Sequence, residues 1–355
     1  MSRDRRMISR YFVVLAIGAC LCASTKADKV DDLFAQDPHE PGCAVGYSKN
    51  GEIQFVRGYG TSNLEHGVPI SDKTRFHIAS VSKEFTAAAI GMLVLEGKIK
   101  LNDDVRKYLV HFPKFDQVVT IEHLLLHTSG IANHTLLIRA NGLDYGNSFK
   151  QDETLDMVLA EGLSFEPGSR FQYSSSYLVL GDVIEKVAGM PLRNFLKTRV
   201  FDPLGMKDSG LHDDFSLIPN RAEGYLEEDG NWINDRIRFA LTGSGGIHMT
   251  IRDLLHWDHA LRSDKLMKGL AKLLYDSKPV PVAENVDYHF GFFRSIFRGA
   301  RAFAHSGSYQ GTKTLMYSYE PGSAVAISCN RRLDIQKLNF ALIDIVSPLS
   351  EPNTK

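Results

Sequence analysis

The periodicity of apolar positions changes twice along this chain. Residues 42–47 (GCAVGY) and 52–59 (EIQFVRGY) read as two short strands, and Ser48-Lys49-Asn50-Gly51 lies between them. An Asn-Gly pair between two such runs is a strong hairpin signal. Residues 81–97 (VSKEFTAAAIGMLVLEG) then carry good helix formers, apolar residues at helical spacing, and Gly97 where a C-terminal cap belongs. From about residue 101 to residue 259 the pattern is mainly helical, with 120–126, 177–187 and 251–261 as examples. Loops interrupt it at 127–133, 166–170 and 241–246. Strand-like runs return from Tyr288 through 301–305 and 315–319 to 324–329, with Glu320-Pro321-Gly322 as the turn before the last. An amphipathic helix over 334–346 follows. Two strands at the start and three or four at the end predict one antiparallel sheet closed by both chain ends. The helical middle forms a second lobe, and a cleft between lobes is the natural place for small-molecule chemistry.

The first residues break this pattern. Arg3, Arg5, Arg6 and Arg10 precede a short apolar run over 11–23, and small and polar residues follow. That order is the one of a secretory signal, read here as residues 1–27, and the run is short for a membrane span. An uncleaved anchor is the alternative, and a lipoprotein signal the weaker one. The mature protein is expected in the periplasm or secreted. The boundaries read from the sequence are a single domain over 28–350. Within it, an α/β lobe covers about 30–98 and 285–350, and a mainly helical lobe about 99–284.

With 355 residues and 43% hydrophobic content, the chain can bury a large core. A formal net charge of −1, evenly spread, gives no footprint for nucleic acid and no polybasic membrane patch. Cys20 and Cys22 fall in the signal, which leaves Cys43 and Cys329 far apart, with no zinc spacing. His123/His127 and His256/Asp258/His259 have spacings that could hold a metal on a helix, but no His-Glu-x-x-His occurs, so they read as surface or structural. No metal, cofactor, nucleic acid or stable membrane span is implied, and the oligomeric state is open.

The chemistry concentrates at Ser80-Val81-Ser82-Lys83. Ser80 falls at a predicted helix N-terminus and Lys83 one turn on, on the same face. The helix dipole favours negative charge near Ser80, and an amine within reach can take its proton. No Gly-x-Ser-x-Gly elbow occurs, which argues against an α/β-hydrolase.

Together with residues 76–86 (FHIASVSKEFT), 120–131 (TIEHLLLHTSGI), 166–181 (EPGSRFQYSSSYLVLG), 201–206 (FDPLGM) and 243–255 (GSGGIHMTIRDLL), this motif resembles one superfamily. It is that of the serine β-lactamases and penicillin-binding proteins, nearest its class C branch with D-peptidase, esterase and LACTB-like relatives. The resemblance implies an α/β (α+β) fold of the β-lactamase/transpeptidase type. It implies an acyl-enzyme on Ser80, with Lys83 and Tyr173 handling protons; which of the two is the base stays open. Burial is expected to lower the Lys83 pKa, and the neighbouring cation that of Tyr173.

The family's Tyr-x-Asn reads Tyr173-Ser174-Ser175 here, and Tyr145-Gly146-Asn147 matches the letters without the flanking runs. Its Lys-Thr-Gly reads His305-Ser306-Gly307, where His is only partly charged near neutrality. Ser175, His305, Ser306, Gly307 and Ser308 would line the substrate site, with the backbone N–H groups of Ser80 and Ser308 as oxyanion hole. In the family's sheet the first and last long strands are neighbours. Cys43 and Cys329 would then lie side by side, either bonded or as buried thiols.

These residues imply an exported serine hydrolase acting on a small-molecule amide, peptide or ester. A D-amino-acid peptide or small ester is favoured over a β-lactam, because Ser175 and His305 both depart from the class C pattern. A β-lactamase or D,D-carboxypeptidase is one alternative. A catalytically idle ligand-binding or assembly protein of the same fold is another.

Overall fold

The structure is a computed structural model that describes residues 25–142, 148–213, 215–235, 238–309 and 311–347. Most of the expected signal and the Tyr145-Gly146-Asn147 alternative lie outside the described residues. Helix α1 (Lys26–Phe34) begins inside the segment read as signal, with Thr25 and Asp28 forming a reciprocal capping box.

Strands β1 (Cys43–Lys49) and β2 (Glu52–Tyr59) form the predicted hairpin. Asn50 and Gly51 take φ of 50° and 84°, the positive values that a tight hairpin turn needs and that Asn-Gly supplies cheaply. Helix α2 (Ser82–Leu95) carries the Ser80 motif at its start, and Gly97, at φ 73°, ends it as read from the sequence. Helices α3 (Ser176–Ala188) and α4 (Ile251–Arg262) match the predicted apolar periodicity within two residues. The C-terminal part supplies strands β3 (Val280–Ala283), β4 (Val286–Tyr288), β5 (Phe293–Phe297), β6 (Ala300–Tyr309), β7 (Thr312–Tyr319) and β8 (Ser323–Cys329). Helix α5 (Ile335–Val346) closes the chain.

All eight strands join one antiparallel sheet in the order β3-β4-β5-β6-β7-β8-β1-β2. The two chain ends meet at the β8–β1 pair, in the register Cys43↔Cys329 through Lys49↔Ser323. Alternation along these strands gives each face its own core. On one face Val45, Tyr47, Val325 and Ile327 pack under α1 and α5. Each fully buried Val or Ile there contributes about 1.5–3 kcal/mol. On the other face the positions are small: Ala44, Gly46, Ala324 and Ala326. A Cβ on Gly46 would sit 2.6 Å from Ile251 Cγ2, so the missing side chain is what admits α4.

The middle lobe is less helical than its periodicity predicts. It contains the hairpin Tyr225–Glu228/Asn231–Asn234 and the small sheet formed by Phe76–His77, Ile247–Met249 and Gly210–Leu211. These segments of two to four residues are too short to establish a period in the sequence. No helix among the described residues is long and apolar enough to cross a membrane.

Candidate active site

Ser80 lies in a 3₁₀ turn (Ala79–Val81) that runs directly into α2. Ala79 is held at φ 48°, a conformation that costs a non-glycine residue about 1–3 kcal/mol and is typical of strained functional turns. It lifts Ser80 out of the helix and leaves its side chain half-buried at the cleft.

One turn on, Lys83 is 3% exposed. Its Nζ donates to Ser80 Oγ at 3.2 Å and to the Ser244 carbonyl at 2.9 Å. Burial pulls its pKa from 10.5 down to about 7, so a large share of the amine is neutral at physiological pH. One N–H can stay on Ser244 while the lone pair faces Ser80. The loop that presents Ser244 is itself pinned: Thr86 Oγ1 donates to Gly243 O at 2.7 Å. Gly243, at φ 83°, lies where a Cβ would collide with Tyr177 O.

Tyr173 stands across from this pair, its ring centroid 5.0 Å from Lys83 Nζ. Its hydroxyl is buried and makes no hydrogen bond among the described residues. Burial raises its pKa, and the nearby Ser80 opposes that only in part. The expectation that the cation beside it would lower the phenol is therefore reversed. Burial thus favours the protonated form of the phenol and the neutral form of the amine.

The strand β6 forms the opposite wall. A Cβ on Gly307 would lie 2.3 Å from Ile78 O and 3.0 Å from Ser80 N, so only glycine lets the strand backbone come this close to Ser80. Ser306 and Ser308, on either side, have exposed side chains. His305 is 2% exposed and donates from Nδ1 to Ser306 O at 2.7 Å. That bond places the proton of the neutral ring on Nδ1 and leaves Nε2 as a bare acceptor, buried without a partner among the described residues. Burial, then the charge of Lys83, hold its pKa down to about 3. The partial charge expected of His305 near neutrality is thus absent.

Ser80, Lys83 and Tyr173 open onto a cavity of about 310 Å³, and Ser80, Tyr173 and His305 onto a second cleft of about 530 Å³. Both volumes suit a small-molecule substrate. The family described as Beta-lactamase matches residues 30–345. The chain belongs to that family.

Among its relatives, penicillin-binding protein 4* of Bacillus subtilis (strain 168) is 30% identical over 306 residues, covering 80% of this chain and 66% of that protein. The esterase EstB of Burkholderia gladioli is 36% identical over 207 residues, covering 54% of this chain and 53% of its own. The chain spans about half to two thirds of the length of the curated relatives it matches. The crystal structure of a penicillin-binding protein from Bacillus halodurans superposes with a TM-score of 0.78 at 26% identity. It covers 89% of this chain and 98% of its own.

In this family member Ser80, Lys83 and Tyr173 line one cavity. Ser175 stands differently. It is wholly buried, and its Oγ accepts from His134 N at 2.7 Å and lies 2.8 Å from His134 Nδ1. Asn133 and His134 line the cavity in front of it. Ser244 and His127 were not assigned a role from the sequence. Ser244 had a signal in Gly243-Ser244-Gly245-Gly246, a run whose glycines permit close backbone approach. Among the described residues no cluster of His, Cys, Asp or Glu is placed to hold a metal ion.

Proposed function

We propose that this chain is an exported serine hydrolase that forms an acyl-enzyme on Ser80. The observation that carries the reading is Lys83 Nζ, buried, 3.2 Å from Ser80 Oγ, with its pKa drawn down to about 7. Neutral Lys83 takes the Ser80 proton as Oγ bonds to the substrate carbonyl carbon. The N–H groups of Ser80 and Ser308 hold the oxyanion. As the tetrahedral adduct collapses, the bond to the leaving amine or alcohol breaks and the proton passes to it, with Tyr173 as relay. Water then repeats the sequence on the acyl-enzyme, which releases the acid and restores Ser80.

Small esters and D-amino-acid peptides are the favoured substrates. The neutral, buried His305 offers no fixed charge for a carboxylate, and Ser175 offers no amide to a β-lactam side chain. The similarity to a protein named as an esterase supports the ester arm. Export is supported by the bond between Cys43 and Cys329, since disulfides persist in oxidising compartments.

Intact mass after incubation with a fluorophosphonate, with a parallel screen of p-nitrophenyl esters, nitrocefin and D-Ala peptides, tests the proposal. Wild type should gain one adduct and turn over esters or D-peptides faster than nitrocefin. Ser80→Ala should gain none, with turnover down by several orders of magnitude. Residual turnover above roughly a tenth of wild type in Ser80→Ala would remove Ser80 from the mechanism, since loss of a nucleophile costs far more. No adduct on wild type would favour the idle ligand-binding alternative.

A further inference from the structure

Tyr173 sits in the short stretch before α3, outside any helix or strand, yet its hydroxyl must be held to a fraction of an ångström if it handles protons. The residues on either side of it both hang from one side chain's residue. Gln172 N–H donates to the His127 carbonyl at 2.9 Å, and Ser174 N–H donates to His127 Nδ1 at 3.2 Å. The imidazole itself lies against the Tyr173 ring, centroids 4.3 Å apart and planes tilted by 33°.

His127 is fully buried and adopts φ 55°, just past the short helix Ile121–Leu125. In that left-handed conformation its carbonyl and its side chain both meet the 172–174 segment. Its far side is closed by Tyr288 and Phe171, at centroid distances of 5.1 and 6.0 Å. Because Nδ1 accepts a backbone N–H, the neutral ring carries its proton on Nε2, which is buried with no partner among the described residues. Two buried histidines of opposite tautomer thus flank Tyr173: His127 with a free donor, and His305 with a free acceptor, its ring 6.1 Å from that of Tyr173.

We propose that His127 is a positioning residue that clamps Tyr173 in its proton-handling place. This rests on the reading that Tyr173 takes part in proton transfer at Ser80. The single-turnover rate of Ser80 acylation by an ester with a poor alcohol leaving group reads proton delivery to that leaving group directly, and can be followed even in slow variants. Tyr173→Phe should lower it by about a hundredfold, the scale of a lost acid–base group. His127→Ala should do the same in the wild-type background, and cost less than about threefold more in the Tyr173→Phe background, as groups acting as a unit do. His127→Asn keeps an acceptor for Ser174 N–H and tolerates the positive φ, so it should recover about tenfold over Ala.

Equal factors for His127→Ala in both backgrounds would overturn the clamp while leaving Tyr173 in the mechanism. A Tyr173→Phe variant acylated by that ester at the wild-type rate would instead overturn the proton-handling reading, and the clamp with it. If His127→Ala shows no cooperative melting, His127→Asn in the two backgrounds supplies the same cycle. Its lost ring contact should then cost about tenfold with Tyr173 present and almost nothing without it.

Discussion

Lys83 Nζ donates to the Ser244 carbonyl at 2.9 Å, which ties the amine to a loop 161 residues away rather than to an acid. A carboxylate in that place would stabilise the ammonium and raise its pKa. A neutral carbonyl orients the amine and leaves burial free to depress it.

The pH dependence follows with a definite sign. In the proposed mechanism the free enzyme needs Lys83 unprotonated, so kcat/KM for a neutral ester should rise through an inflection near pH 7 and level off above it. Tyr173, raised by burial, and His305, held near 3, titrate well outside this window. A profile flat between pH 6 and pH 8 would show that Lys83 is not the base.

Gly307→Ala should damage the site more than its one methyl group implies. The new Cβ would meet Ile78 O at 2.3 Å and Ala79 Cβ at 2.8 Å, both fixed by the strained turn that presents Ser80. Either β6 or that turn must move, at a cost of about 1–3 kcal/mol in stability. Activity should fall by more than about a hundredfold, since small displacements at a reacting centre are costly. Denaturant unfolding beside ester kinetics checks both, and near-wild-type kinetics would mean that the strand is free to shift.

The part of this site that was legible in the sequence is the part set by local spacing. Ser80 and Lys83 are three positions apart across a 3₁₀ turn that runs into α2, so their proximity follows from local helical spacing. Asn50-Gly51 and Gly97 were readable because each has a backbone conformation that few residues adopt. Tyr173 was found only through its place in a run that resembles the family. The inward turn of Ser175, the Ser244 carbonyl and the hold of His127 on Tyr173 join residues between 41 and 161 positions apart. No periodicity encodes such contacts. The strand Val280–Ala283 was likewise missed, because a proline and an edge position hide its alternation.

His305→Lys should change both preference and pH response. Adding a fixed charge at the cleft wall should raise rates for substrates with a free carboxylate relative to neutral ones. The same charge lies near enough to Lys83 to be felt, as the present influence of Lys83 on His305 shows. It should push the Lys83 inflection below pH 7, because a second cation disfavours the protonated amine. Relative rates and a pH profile that both match wild type would remove His305 from substrate recognition.

Cys43 and Cys329 are directly opposed on β1 and β8, with Cα atoms 4.0 Å apart, and they are joined. The register that brings them together is fixed by alternating small and large residues on the two faces, since a slip of one would exchange the faces. The bond links positions 286 residues apart and so encloses the helical lobe entire. Its removal releases chain entropy in the unfolded state, with an upper bound of about 5 kcal/mol. Cys43→Ser/Cys329→Ser should therefore lower the denaturation midpoint clearly, while kcat/KM at room temperature changes less than about threefold, because neither sulfur touches the site. Both residues are at most 2% exposed, so a thiol reductant should not open the bond in the native protein until denaturant loosens the sheet. Rapid reduction under native conditions would show that the β1–β8 pair opens locally, and an unchanged midpoint would show that the sheet register alone holds the chain ends together.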